Sequence, residues 1–158
     1  MCSELYISIL LRSSSLVPVK MVNIFVYGSL MFDNVRDALI GSRYQNLGAF
    51  ISGYRRLTVK GEVYPGLVES EKGRVDGIVL LGIDSGDLRV LDQFEGHYYR
   101  RQSVTVSVHD MRLMQAETYM FRDEYRFMLS DKEWSVDEFR KTGINTFMAN
   151  YHGLRQSE

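Results

Sequence analysis

Residues 22–26, Val-Asn-Ile-Phe-Val, form a short β-branched and aromatic run that stops at Gly28 just after Tyr27. That is the pattern of a buried strand entering a tight turn. Asp33 or Asn34 then stands where a helix cap belongs, ahead of Leu39 and Ile40, with Gly41 placed to end the helix. A strand-rich stretch follows. Leu47–Val59 and Val75–Ile83 are its best pieces; Gly53 bends the first, and Gly61, Pro65 and Gly66 mark turns between them. Ser85 caps a second helix that carries Leu88, Leu91 and Phe94 at three-residue spacing, with Arg89 and Asp92 facing out and Gly96 closing it. Arg101–His109 alternates, with Val104, Val106 and Val108 on one face and Ser103, Thr105 and Ser107 on the other, as a half-buried strand does. Ala116–Phe121 pairs with it across a turn near Asp110. Trp134 and Ser135 open a last helix whose Val136, Phe139, Gly143, Phe147 and Tyr151 fall on one stripe. Gly143 weakens that helix by about 1 kcal/mol relative to alanine. The order of elements predicts an α+β fold rather than a regular βαβ series.

The first twenty residues do not share this texture. Leu5–Leu11 is mostly apolar but is broken by Ser8 and flanked by Glu4 and Arg12. It lacks the positive start and cleavage site of a secretory signal, and the ~20 apolar residues of a membrane helix. Residues 1–20 therefore read as an extension, with an extra strand built from Leu5 to Leu11 as the competing reading, and residues 21–154 as one domain. A chain of 158 residues has room for one domain and no more. Hydrophobic residues at 45% and charged residues at 25% suit a folded globular protein. Nineteen Lys and Arg against twenty Asp and Glu leave a charge of -1, which supplies no basic field for a phosphate backbone or an anionic membrane. Neither nucleic acid nor membrane is an expected partner. The lone cysteine, Cys2, gives no disulfide framework and suits the cytoplasm. His97, His109 and His152 are scattered, so no metal site is expected.

Two places carry possible chemistry. Ser29, in Tyr27-Gly28-Ser29-Leu30, lacks both the G-x-S-x-G of a nucleophile elbow and the second glycine and lysine of a phosphate loop. What remains is a strand end turning into a helix start, where backbone N–H groups are free to receive an anion or a developing oxyanion. Glu95 closes the second helix beside Phe94, Tyr98 and Tyr99. It is either a solvated surface carboxylate or, if the aromatic neighbours bury it, a base whose raised pKa suits neutral pH.

Val26-Tyr27-Gly28-Ser29-Leu30, Gly53-Tyr54-Arg55-Arg56, Gly61-x-x-Tyr64-Pro65-Gly66, Val75-x-Gly77 and Leu91-Asp92-x-Phe94-Glu95-Gly96-x-x-Tyr99-x-Arg101 follow one another in that order. The set resembles the gamma-glutamylcyclotransferase-like superfamily, in its AIG2-like branch, from Val22 to about Phe139. The resemblance implies a small mixed, mostly antiparallel β-barrel with flanking helices. It also implies cleavage of a γ-glutamyl amide by the substrate's own α-amine, which releases 5-oxoproline and an amine or amino acid without any cofactor. Glu95 matches the family's catalytic glutamate. Tyr27, Gly28, Ser29 and Leu30 match its substrate loop. Tyr99 and Tyr119 match aromatic positions that line the pocket, though packing in the barrel core would place them equally well. Arg101 either pairs with a carboxylate or lies with Arg100 on a solvated strand edge. Tyr98 departs from the polar or acidic residue common at its position, which leaves the identity of the amine open. The competing reading is a noncatalytic barrel that binds a small acidic metabolite.

Overall fold

The computed structural model describes residues 20–155; the expectation for residues 1–20 falls, apart from Lys20, outside them. Its strands are β1 (Val22–Val26), β2 (Asn46–Val59), β3 (Pro65–Ile83), β4 (Tyr99–Val108), β5 (Leu113–Phe121) and β6 (Leu129–Glu133). Helix α1 (Asp33–Ile40) follows β1, and α2 (Ser85–Glu95) links β3 to β4. The C-terminal helical run consists of α3 (Val136–Glu138), a π turn at Phe139–Gly143, and α4 (Ile144–Arg155).

The strands hydrogen-bond in the order β3-β1-β5-β4-β2, and β2 pairs back onto β3, so the sheet closes into a barrel with β6 added beside β2. β1 runs parallel to β5, and the other pairings are antiparallel. The mixed, mostly antiparallel barrel with flanking helices is thus as expected. Period-two alternation sorts each strand into two faces. Phe25, Ile51, Leu67, Val75, Val79, Val104, Val106 and Met120 come from all five barrel strands and form one buried cluster, the barrel interior. Ile24, Val26, Leu80, Tyr99, Tyr119 and Phe121 point the other way and join Val35 and Ile40 of α1 and Leu88 and Leu91 of α2 in a second cluster on the barrel's flank.

Several local expectations change. Neither Asp33 nor Asn34 caps α1: the N-cap is Phe32, with no side-chain cap bond. In α2 the cap is Asp84, whose carboxylate accepts from the Asp87 N–H at 2.9 Å, and not Ser85. An aspartate already extended ahead of the helix reaches that N–H, while Ser85 lies within the first turn. Pro65 and Gly66 are not turn residues. They begin β3, which starts ten residues ahead of Val75 and pairs Pro65 with Thr58. The polar text from Glu69 to Arg74 hid this half of the strand, although its backbone pairs with β2 as far as a register shift at Gly53. β6, Leu-Ser-Asp-Lys-Glu, shows no alternation and was not anticipated; it is held by backbone pairing to Leu57 and Val59. In the last helix Ser135 caps through the Glu138 N–H at 3.2 Å, and Gly143 ends the π turn where a Cβ would stand 2.9 Å from the Phe139 ring.

Candidate active site

β1 ends at Val26, and the chain passes through Tyr27 and Gly28 into a 3-10 turn, Ser29–Met31, before α1 begins. Two arginines grip this turn by its carbonyls. Arg56 of β2 donates to the Tyr27 carbonyl at 2.8 Å, and the buried Arg36 of α1 donates to the carbonyls of Leu30 and Met31 at 2.9 and 2.6 Å. The N–H groups of Ser29 and Leu30, which open the turn, have no backbone acceptor among the described residues. Gly28 answers a close approach, since a Cβ on it would sit 2.9 Å from the Pro65 ring.

This turn forms one wall of a cavity of about 640 Å³ on the barrel's flank. All of the residues singled out in the sequence line it: Tyr27, Gly28, Ser29, Leu30, Glu95, Tyr99 and Tyr119. They come from the end of β1, the end of α2 and the paired strands β4 and β5, whose closure of the barrel brings them together. Three hydroxyls brace the frame. Tyr27 donates to the Tyr119 carbonyl at 2.6 Å, Tyr99 to the Pro65 carbonyl at 2.8 Å, and Tyr119 to the Asp92 carboxylate at 2.9 Å. Burial holds the Tyr27 and Tyr99 phenols well above their ordinary pKa, so both stay neutral. The two tyrosines on β4 and β5 are at once packed and cavity-lining, so the two readings of them coexist.

Glu95 occupies the last turn of α2. Gly96 ends the helix with φ 75 and ψ -168, a conformation open essentially to glycine alone, which turns the chain away directly behind the glutamate. Among the described residues no group hydrogen-bonds the Glu95 carboxyl. Burial is the main influence on it and the nearby Asp92 charge the second, and they push its pKa up to about 8. The negative end of the helix dipole acts in the same direction. Asp92, three residues earlier, is half-exposed as its helical position suggested, yet it is fully engaged. Its carboxylate takes the Tyr119 hydroxyl and the Arg101 Nε, the latter at 2.7 Å, and Arg101 also pairs with Glu117. Both alternatives for Arg101 hold at once: it pairs with these carboxylates and lies exposed on β4.

The sequence reading missed Asp92, Arg36, Glu62, Phe147 and Asn150 as parts of this site. The three-residue spacing of Asp92 and Glu95 on one helix face was a usable signal. Nothing local pointed to Phe147 or Asn150, which reach the cavity from α4. Among the described residues no group of His, Cys, Asp or Glu side chains is arranged to hold a metal, and no helix is long and apolar enough to cross a membrane.

The family model for gamma-glutamyl cyclotransferase, AIG2-like proteins matches residues 24–136. The chain belongs to this family. AIG2-like protein D of Arabidopsis thaliana is 38% identical over 132 residues, covering 82% of this chain and 86% of that protein. The solution structure of an Arabidopsis thaliana protein superposes with a TM-score of 0.65 at 30% identity, over 89% of this chain and 94% of that one. A structure described as gamma-glutamyl cyclotransferase shares the fold, with a TM-score of 0.56 at 17% identity over 65% of this chain and 68% of that one. The family match takes in the cavity wall from Tyr27 to Tyr119 and stops short of α4 with Phe147 and Asn150.

Proposed function

We propose that this protein is a cyclotransferase that cleaves a γ-glutamyl amide, with Glu95 as general acid and base. The observation that carries the reading is the Glu95 carboxyl, unpartnered among the described residues and pushed up to about 8, in a cavity that the Tyr27–Leu30 turn also lines. A carboxylate kept only to bind an anionic glutamyl unit would repel it. A proton carrier tuned near the pKa of an α-ammonium, about 8, is matched to that group.

The substrate's α-ammonium gives one proton to Glu95, which frees the nitrogen's electron pair. That nitrogen attacks the side-chain carbonyl carbon and closes a five-membered ring. Both reacting groups belong to one molecule, and well-oriented intramolecular attack reaches effective molarities of ~10⁵–10⁸ M, so no activated water is needed. The N–H groups of Ser29 and Leu30 receive oxygen atoms of the glutamyl unit. As the ring nitrogen sheds its second proton, Glu95 protonates the departing nitrogen and the carbon–nitrogen bond breaks. 5-Oxoproline and an ammonium leave, and both protons lost by the attacking nitrogen end on the released amine.

The test is 5-oxoproline release from a panel of γ-glutamyl compounds by the wild type and by Glu95→Gln, which keeps the shape and removes the proton carrier. The expected loss is about 10²–10⁴-fold in kcat. Equal release by both proteins removes Glu95 from the chemistry. Binding of γ-glutamyl compounds without release from any of them makes the protein a noncatalytic binder.

A further inference from the structure

Beyond the turn and Glu95, the cavity extends well past what a bare glutamyl group fills; about 640 Å³ lies mid-range for pockets of ~300–1,000 Å³ that hold drug-sized molecules. The remaining wall is mostly aromatic and apolar, with the neutral amides of Gln93 and Asn150 and the carboxylate of Glu62 as its polar members. Phe94 of α2 and Phe147 of α4 meet edge to face, with ring centroids 5.9 Å apart at 70°, and Val63, Tyr64 and Tyr98 continue the surface. The charged side chains among the described lining residues are Glu62, on the β2–β3 turn, and Glu95. Glu62 stands near enough to Tyr64 to help burial raise that phenol's pKa.

We infer that the amine released at this site is an arylalkyl amine without a carboxylate, its ring seated against Phe94 and Phe147 and Glu62 turning away anionic alternatives. The inference rests on the cyclotransferase reading above. A third ring extends the edge-to-face pair already present, a geometry that aromatic groups favour. An amino-acid leaving group would instead carry its carboxylate into a wall whose added charge is the Glu62 carboxylate, and specificity of this kind comes as much from repulsion of the wrong ligand as from attraction of the right one.

The test compares 5-oxoproline release from three substrates: the γ-glutamyl amides of phenethylamine and of methylamine, and γ-glutamyl-phenylalanine, which differs from the first by one carboxylate. The phenethylamide is expected to exceed each of the others in kcat/KM by about tenfold or more. Glu62→Gln is expected to narrow the gap to γ-glutamyl-phenylalanine by about threefold, a modest change because Glu62 is exposed and screened. Phe147→Ala is expected to lower the phenethylamide-to-methylamide ratio about tenfold. Each ratio is taken on one protein preparation, so a partial loss of folding cancels from it. Equal rates for the phenethylamide and γ-glutamyl-phenylalanine, or ratios unmoved by both substitutions, overturn the inference alone. Release from none of the three while another γ-glutamyl compound of the panel is cleaved also overturns the inference alone; release from no compound of the panel removes the cyclotransferase reading, and this inference with it.

Discussion

Along β1, Phe25 points into the barrel while Ile24 and Val26 point to the flank, and the two sides are built to different ends. The interior is filled by Phe25, Ile51, Val75, Val79 and Val106, each at most 2% exposed, from strands that pair around the full circle. The flank is buried under α1 and α2 as well, but it keeps a cavity, with Glu95 in its lining and Asp92 three residues before it on the same helix. Asp92 is held by Tyr119 and Arg101, whereas Glu95 has no hydrogen-bond partner among the described residues. A region that is merely stable satisfies every charge it buries. The flank leaves one carboxyl without a hydrogen-bond partner, kept protonated up to about pH 8, beside a partner-rich one.

The sharpest way to break this contrast is to cut each side once and measure both stability and activity. Phe25→Ala removes a fully buried ring at the centre of the interior and should cost about 3–5 kcal/mol in urea unfolding, the usual range for such a cavity. Glu95→Gln should move stability the other way. The folded protein holds the Glu95 proton up to about pH 8, while the unfolded chain releases it near 4.5. Between those values the native state binds more protons, so the wild type loses stability as pH rises. The glutamine variant lacks this term. It should match the wild type at pH 5 and exceed it by about 1–3 kcal/mol at pH 9; the shift is discounted because the carboxyl opens onto a cavity that water can enter. A variant that is less stable than the wild type at both pH values would mean that Glu95 is a structural group.

Where local pattern decides structure, it was readable. The alternation of Val104, Val106 and Val108, the run from Val22 to Val26 and the three-residue spacing in α2 each report one element's own burial. β6 and the first half of β3 were not readable, because backbone pairing to β2 holds them while their side chains stay polar. The site divides in the same manner. Glu95 and the Tyr27–Leu30 turn were reached through the order of family motifs, since a helix-end glutamate alone is also what a solvated surface shows. The grip of Arg36 and Arg56 is exerted on carbonyls, which carry no side-chain signature. The environment of Asp92 depends on Tyr119 and Arg101, which helical spacing cannot report because β5 and β4 supply them.

Those two arginines offer the next test of how the flank is kept open. Arg36 touches the turn's carbonyls from behind, so it is a positioning residue. Arg36→Gln should raise KM for a γ-glutamyl substrate about tenfold as the N–H groups lose their aim, with a smaller change in kcat because Glu95 stays in place. Arg36→Lys retains one charge but not the forked reach to two carbonyls and should recover only part of the loss. Equal falls in kcat and in folded fraction, with KM unmoved, would assign Arg36 to stability alone.

The smallest expected effect isolates the second carboxylate. With the proton carrier ionised and the substrate protonated before they meet, kcat/KM should rise with pH to about 8, where the Glu95 carboxyl ionises, and fall above it as the substrate's α-ammonium loses its own proton. Asp92 contributes to that pKa by its charge, after burial. Asp92→Asn removes the charge and keeps an oxygen for the Tyr119 hydroxyl, so the Glu95 carboxyl should release its proton more easily. The acid limb should then move to lower pH by about half a unit to one unit, with its height little changed. A shift to higher pH would reverse the sign of the coupling and place the Arg101 charge, released from Asp92, outside the reach of Glu95; an unmoved limb would leave burial as the sole cause of the raised pKa.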